Sequence, residues 1–169
     1  MNWTYVFVTA AVTVIAAVLG NLLIPKPALD WFRDLSWPRW MVPYSAFIGV
    51  GVTYYLVMAT VLYRALDRGD TSAAVWAIVV IAANEAWNAV FFGLRSTLGG
   101  FLGILAFAVP LTVLLSAVEE DGLSFALLVA YAAWVVYDVA WTFVLWRTNG
   151  TAETPVAPVS AQSAGVFRG

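Results

Sequence analysis

Five stretches of the chain are apolar almost without interruption, and each is about as long as a bilayer core is thick. They run Trp3–Leu23, Tyr44–Leu66, Ala73–Leu94, Leu98–Val118 and Leu123–Trp146. A helix needs roughly 20 apolar residues to cross about 30 Å of hydrocarbon. The runs are continuous rather than alternating, so they predict helices and not barrel strands. Polar punctuation separates them. Pro25-Lys26-Pro27 ends the first, because proline cannot continue a helix. Asp67-Arg68-Gly69-Asp70 divides the second from the third, and Glu119-Glu120-Asp121-Gly122 the fourth from the fifth. Between the first two lies an expected loop, Ile24–Pro43, rich in Trp, Pro and Arg.

The pattern predicts an all-α integral membrane protein, a five-transmembrane-helix bundle over residues 1–149. Residues 150–169, rich in Pro, Ala, Ser, Thr and Gly, are expected to form a flexible tail. The first run lacks a basic leader and a small-residue cleavage site, so it is read as a span and not as a signal peptide.

Composition agrees. Hydrophobic residues make up 63% of the 169 and charged residues 11%, with a mean hydropathy of +0.87. A soluble domain carries about a quarter of its residues as charges, and a short chain cannot hide so much apolar surface. Lipid is the expected solvent and partner. A net charge of −2, with scattered basic residues, leaves no footprint for nucleic acid. Cysteine and histidine are both absent. Thiolate nucleophiles, cysteine-held metals, the commonest general base and the commonest haem ligand go with them. No cofactor is expected, and most enzyme classes are disfavoured. No span contains the lysine that a retinal Schiff base needs.

Basic residues fall unevenly about the spans. Lys26, Arg33, Arg39, Arg95, Arg147 and Arg168 lie on one side, Arg64 and Arg68 on the other. The basic side is expected in the cytoplasm, which puts the N-terminus outside and the C-terminus inside, in the cell membrane if the source is prokaryotic.

Nine tryptophans in 169 residues call for an explanation. An interfacial belt accounts for Trp3, Trp37, Trp40, Trp76 and Trp146, near span ends. Trp87, Trp134 and Trp141 lie at least a turn inside their spans, where helix packing competes with a cavity role, and the cavity role is favoured. At 100° per residue, Asn84, Trp87, Asn88 and Phe91 share a face of the third span. Tyr131, Trp134, Asp138 and Trp141 share a face of the fifth. Two such faces suggest a pocket for a flat, largely apolar ligand. Glu85 and Asp138 are carboxyl groups inside spans, where a charge costs about 2.5–3.5 kcal/mol on insertion scales. A protonated acid bonded to a neighbouring helix and a ligand- or proton-handling role are balanced readings of each.

Four motifs resemble the TspO/MBR family of tryptophan-rich sensory and mitochondrial translocator proteins. The first is Trp31-Phe32-x-x-Leu35-x-x-Pro38-x-Trp40-x-x-Pro43 in the loop. The second is Tyr55-Leu56-x-Met58-Ala59, and the third Asn84-x-x-Trp87-x-x-x-Phe91-Phe92-Gly93. The fourth is Tyr131-x-x-Trp134 followed by Trp146-Arg147-x-Asn149. Each is weak alone; the ordered set is specific. The resemblance implies a homodimeric five-helix bundle whose cavity opens beneath the first loop and binds porphyrins and other planar apolar molecules. Trp31, Phe32, Asn84, Glu85, Trp87, Asn88, Phe91, Trp134, Asp138 and Trp141 are the candidate ligand-binding residues. Porphyrin breakdown has been proposed within the family; with no histidine or metal site, an enzyme is not expected here.

The departures matter as much. Trp37 replaces a family lysine and Val42 a proline. Gly51 stands where many members carry a tryptophan. Thr142 and Phe143 replace Asn-Tyr, which breaks the sterol-recognition pattern that animal members show there. Asp138 takes the place of a small pocket-lining residue, so a smaller and more polar pocket is expected. The rival functions are a proton-coupled secondary transporter using Glu85 and Asp138, and a purely structural membrane module.

Overall fold

The computed structural model describes residues 2–150, and among these every regular element is helical. The helices are α1 (Trp3–Leu23), α2 (Lys26–Asp34), α3 (Tyr44–Asp67), α4 (Thr71–Asn88), α5 (Thr97–Ala117) and α6 (Gly122–Asn149). A π-helical turn, Ala89–Gly93, continues α4 without a break. Five helices, counting α4 with its π turn, are long and apolar enough to cross a membrane. The expected tail lies outside the described residues.

Local chemistry sets the boundaries. Asn2, Asp70 and Ser96 accept backbone N–H bonds at the starts of α1, α4 and α5, at 3.0, 2.9 and 2.9 Å, satisfying donors that a helix start leaves free. Gly69, with φ +69°, provides the left-handed residue that ends α3. The Ile24–Pro43 segment is not all loop. Pro25 and Pro27 preset the first turn of α2, whose buried residues Ala28 and Phe32 stand one turn apart. Nine residues are too few to register as a span, so α2 hides within a Pro- and Trp-rich stretch.

The five long helices close a ring. α1 packs on α3, α3 on α6, α6 on α5, α5 on α4 and α4 on α1, with α3 also against α4. Their shared core holds Met58, Val61, Leu62, Ala77, Val80, Leu111, Leu114 and Leu128. Close approach of α4 and α5 depends on glycine. A Cβ on Gly103 would stand 2.9 Å from Trp87 Cδ1, one on Gly99 2.7 Å from Val90 Cγ1, and one on Gly100 would collide with the Cδ2 edge of the Phe91 ring. The Gly99-x-x-x-Gly103 pair therefore serves packing within the bundle.

Candidate functional site

α2 lies across one end of the ring, against the π turn. Its inner residues, Ala28 and Phe32, head a second, mostly aromatic cluster with Phe91, Phe92, Trp141 and Leu145. Phe32 is central. Its ring meets Trp37 edge-on at 4.2 Å between centroids, Phe92 at 5.4 Å, Phe91 at 5.7 Å, and Phe47 and Trp141 at 6.4 Å. Edge-to-face contacts of this kind suit the charge distribution of aromatic rings. They also fix where each ring points.

Beneath α2 and the segment after it is a cavity of about 220 Å³, lined by Phe32, Arg33, Trp37, Met41, Val42, Tyr44 and Phe47. Its walls are apolar apart from Arg33, whose guanidinium carbon stands 5.7 Å from the Tyr44 ring centre and which pairs with Asp30 at 3.6 Å. The segment Ser36–Val42, a strap that gives Trp37, Met41 and Val42 to the lining of the cavity, is tied to α6 at both ends. Asn149 accepts from the Ser36 N–H at 2.9 Å and donates to the Ser36 carbonyl at 3.2 Å. The Tyr137 hydroxyl accepts from the Val42 N–H at 3.0 Å and donates to Met41 Sδ at 3.4 Å.

The sequence-derived residues divide into two groups. Phe32 lines the cavity. Trp31, Trp87, Phe91, Trp134 and Trp141 are close by but meet other rings: Trp31 the edge of Phe91 at 5.4 Å, Trp87 the face of Phe91 at 5.2 Å, Trp134 Phe47 at 5.7 Å. Trp87 also donates its indole N–H to the Gly100 carbonyl at 2.9 Å. Trp141, 2% exposed, touches Phe32, Trp37, Phe47, Trp87 and Phe91. Its indole N–H donates to Asp138 Oδ1 at 2.6 Å.

Asn84, Glu85 and Asn88 form a second group, away from the cavity. Glu85 accepts from the Tyr55 hydroxyl at 2.7 Å, from Asn84 at 3.2 Å and from Asn88 at 3.4 Å, beside Gly20 of α1. The asparagines and Trp87 were expected on one face with Phe91. Trp87 stays stacked on Phe91 at 5.2 Å while Asn84 and Asn88 turn to Glu85, and the π turn from Ala89 buries Phe91 and Phe92 together. Glu85 and Asp138 belong to separate networks with no partner in common. Among the described residues no group of three carboxylates is placed to hold a metal ion.

Several cavity residues were not anticipated. Phe47, Tyr44 and Met41 line it, and Trp37, assigned to the interfacial belt, is half-buried against Phe32. The available signal was the i, i+3 pair Tyr44–Phe47 on the first turn of α3. At the opposite end of the ring, a second cavity of about 220 Å³ is lined by polar and small residues, Asp121, Arg68, Asp70 and Ser116 among them. There Arg64 grips Asp121 in a bidentate pair, with Nε 2.8 Å from Oδ2, and Ser124 donates at 2.7 Å. The Arg64 bond holds the Asp121 carboxyl well below the usual carboxylate range, against the opposing effect of burial.

Residues 7–147 match the TspO/MBR family. The chain is similar to the tryptophan-rich protein TspO of Chlorobaculum tepidum, 32% identical over 137 residues that make up 77% of this chain and 86% of that protein. It is 31% identical to protein CrtK of Rhodobacter capsulatus over 70% of this chain and 78% of that protein. The tryptophan-rich protein TspO of Archaeoglobus fulgidus is 22% identical over 77% and 87% of the two chains. With its five spans and ordered motifs, the chain belongs to the TspO/MBR family, as a multi-pass integral membrane protein.

Proposed function

We propose that this protein is a membrane-embedded binding and sensory protein for planar, largely apolar molecules, porphyrin-type tetrapyrroles among them, which it holds beneath α2. The observation that carries the reading is the Phe32-centred cavity: an apolar pocket, edged by aromatic rings and one arginine, beside a strap hydrogen-bonded to α6 at its two ends. Pockets for small molecules are mostly apolar with few convergent polar groups. Aromatic rings offer stacking faces to a flat ligand, and Arg33 offers a partner for an acid group at its rim. A cavity of about 220 Å³ lies below the range of about 300–1,000 Å³ common for drug-sized ligands, so a whole macrocycle enters only as the strap lifts.

The orientation belongs to the same proposal. With α2 on the cytoplasmic side, Lys26, Arg33, Arg39, Arg95 and Arg147 all face the cytoplasm, as the positive-inside rule favours. Ligand is then received from, or handed to, the cytoplasmic leaflet. A homodimer is proposed on the family resemblance alone.

The test is equilibrium titration of purified protein in nanodiscs with protoporphyrin, read by tryptophan quenching against empty nanodiscs. Saturable quenching at one site per chain is the expected result. Quenching that rises linearly, as for partition into lipid, overturns the reading.

A further inference from the structure

We propose that Trp141, held in place by Asp138, is a stopper that closes the deep end of this cavity and limits the size of the ligand. The inference deepens the function proposed above and rests on it: it names the ligands that the site admits most readily, planar aromatic acids of two or three fused rings, ahead of a full tetrapyrrole.

The reasoning begins with the position of Trp141. Its ring is buried among five aromatic side chains, and three of these, Phe32, Trp37 and Phe47, are walls of the cavity. Trp141 therefore occupies the space between the cavity and the Trp87–Phe91 pair of the π turn. Of the candidate residues Phe32 is the one that lines this cavity, and the indole packs behind it. A buried indole needs an acceptor for its N–H. Asp138 provides one from the preceding turn of the same helix, at 2.6 Å, with Asp138 itself 8% exposed. The Asp138 side-chain oxygen thus fixes the rotamer of the indole across the bundle. Asp138 acts through Trp141; it is a positioning residue and is not a wall of the cavity.

The chemistry of the remaining chamber matches a small acid. It is apolar on every side but one, where Arg33 stands beside Tyr44 at the rim. A fused-ring aromatic carboxylate can insert its rings between Phe32 and Phe47 and leave its acid group at Arg33.

The test compares four proteins in nanodiscs: wild type, Trp141→Leu, Asp138→Ala and Asp138→Asn. Each is titrated with 2-naphthoate and with protoporphyrin, after thermal melting has shown that it is folded. Wild type is expected to bind naphthoate at least as tightly as protoporphyrin. Trp141→Leu should gain about tenfold or more for protoporphyrin while its naphthoate affinity stays within about threefold. Asp138→Ala, which frees the indole, should move in the same direction. Asp138→Asn keeps an acceptor oxygen and should restore the wild-type ranking, which a merely structural role for Asp138 would not require. Loss of protoporphyrin affinity in Trp141→Leu overturns the stopper, since Trp141 would then be a ligand contact. Equal ligand rankings in all four proteins overturn it too, and leave the binding function standing. Failure of every protein, wild type included, to bind either probe overturns the binding function and the stopper together.

Discussion

Gly20 of α1 lies directly against Glu85 of α4. A methyl group at Gly20 would come within 2.5 Å of Glu85 Oε2 and 2.7 Å of the Tyr55 hydroxyl. The carboxyl group with its three hydrogen-bond donors thus occupies the space that only glycine leaves open, and α1 docks on that feature. Gly20→Val is expected to destabilise the protein by about 1–3 kcal/mol, the range for overpacking a filled site. In a Glu85→Ala background the same change should cost less, with a coupling of at least about 0.5 kcal/mol, as for residues in contact. Thermal or denaturant unfolding of the double-mutant cycle in detergent checks this; additive effects would mean that α1 is held elsewhere.

The Arg64–Asp121 pair carries a pH signature. Asp121 is depressed in the folded protein, so its stabilising contribution is complete above its ordinary value of 3.8 and is lost only as pH falls below that. The Tm difference between wild type and Asp121→Asn should therefore be constant from about pH 5 to 8 and shrink only in stronger acid. A difference that fades already between pH 7 and 5 would contradict the pairing.

Gly103→Leu should lower Tm without changing the mass of the particle in mild detergent, because Gly103 faces Trp87 within the bundle. If the variant keeps its Tm but changes oligomeric mass, the glycine pair is an interface between copies.

The strap depends on Tyr137 and Asn149. Tyr137→Phe removes the acceptor for the Val42 N–H, and Asn149→Ala removes both bonds to Ser36. Each should speed tryptic cleavage after the exposed Arg39, and the double variant more than either. Unchanged cleavage would show that α2 packing alone holds the segment down.

The five spans were legible because apolar length is the dominant signal in a membrane chain, and each lies within a few residues of the helix that forms. α2 was not, since Lys26–Asp34 is short, charged on its outer side and flanked by prolines. The aromatic cluster that gathers Trp87, Phe91 and Trp141 was foreshadowed by their spacing, although of the candidate residues it is Phe32 that lines the cavity. The polar residues separate from that cluster: Asn84 and Asn88 turn to Glu85, a contact that counting 100° per residue does not show. Trp37 read as an interfacial residue because tryptophan near a span end usually is one. Only the return of the chain under α2 turns it against Phe32. Nor could spacing alone show that Trp141 and Asp138, one turn apart, bond to each other.

The claim on which the rest depends is that ligand lies beneath α2 and the Ser36–Val42 strap. Hydrogen–deuterium exchange of the protein in nanodiscs, with and without saturating protoporphyrin, locates it directly. Slower exchange in Lys26–Val42 and the first turn of α3, with no change around Glu119–Ser124, is the expected result. Protection confined to the Glu119–Ser124 turn, where the second cavity lies at the far end of the bundle, would contradict it.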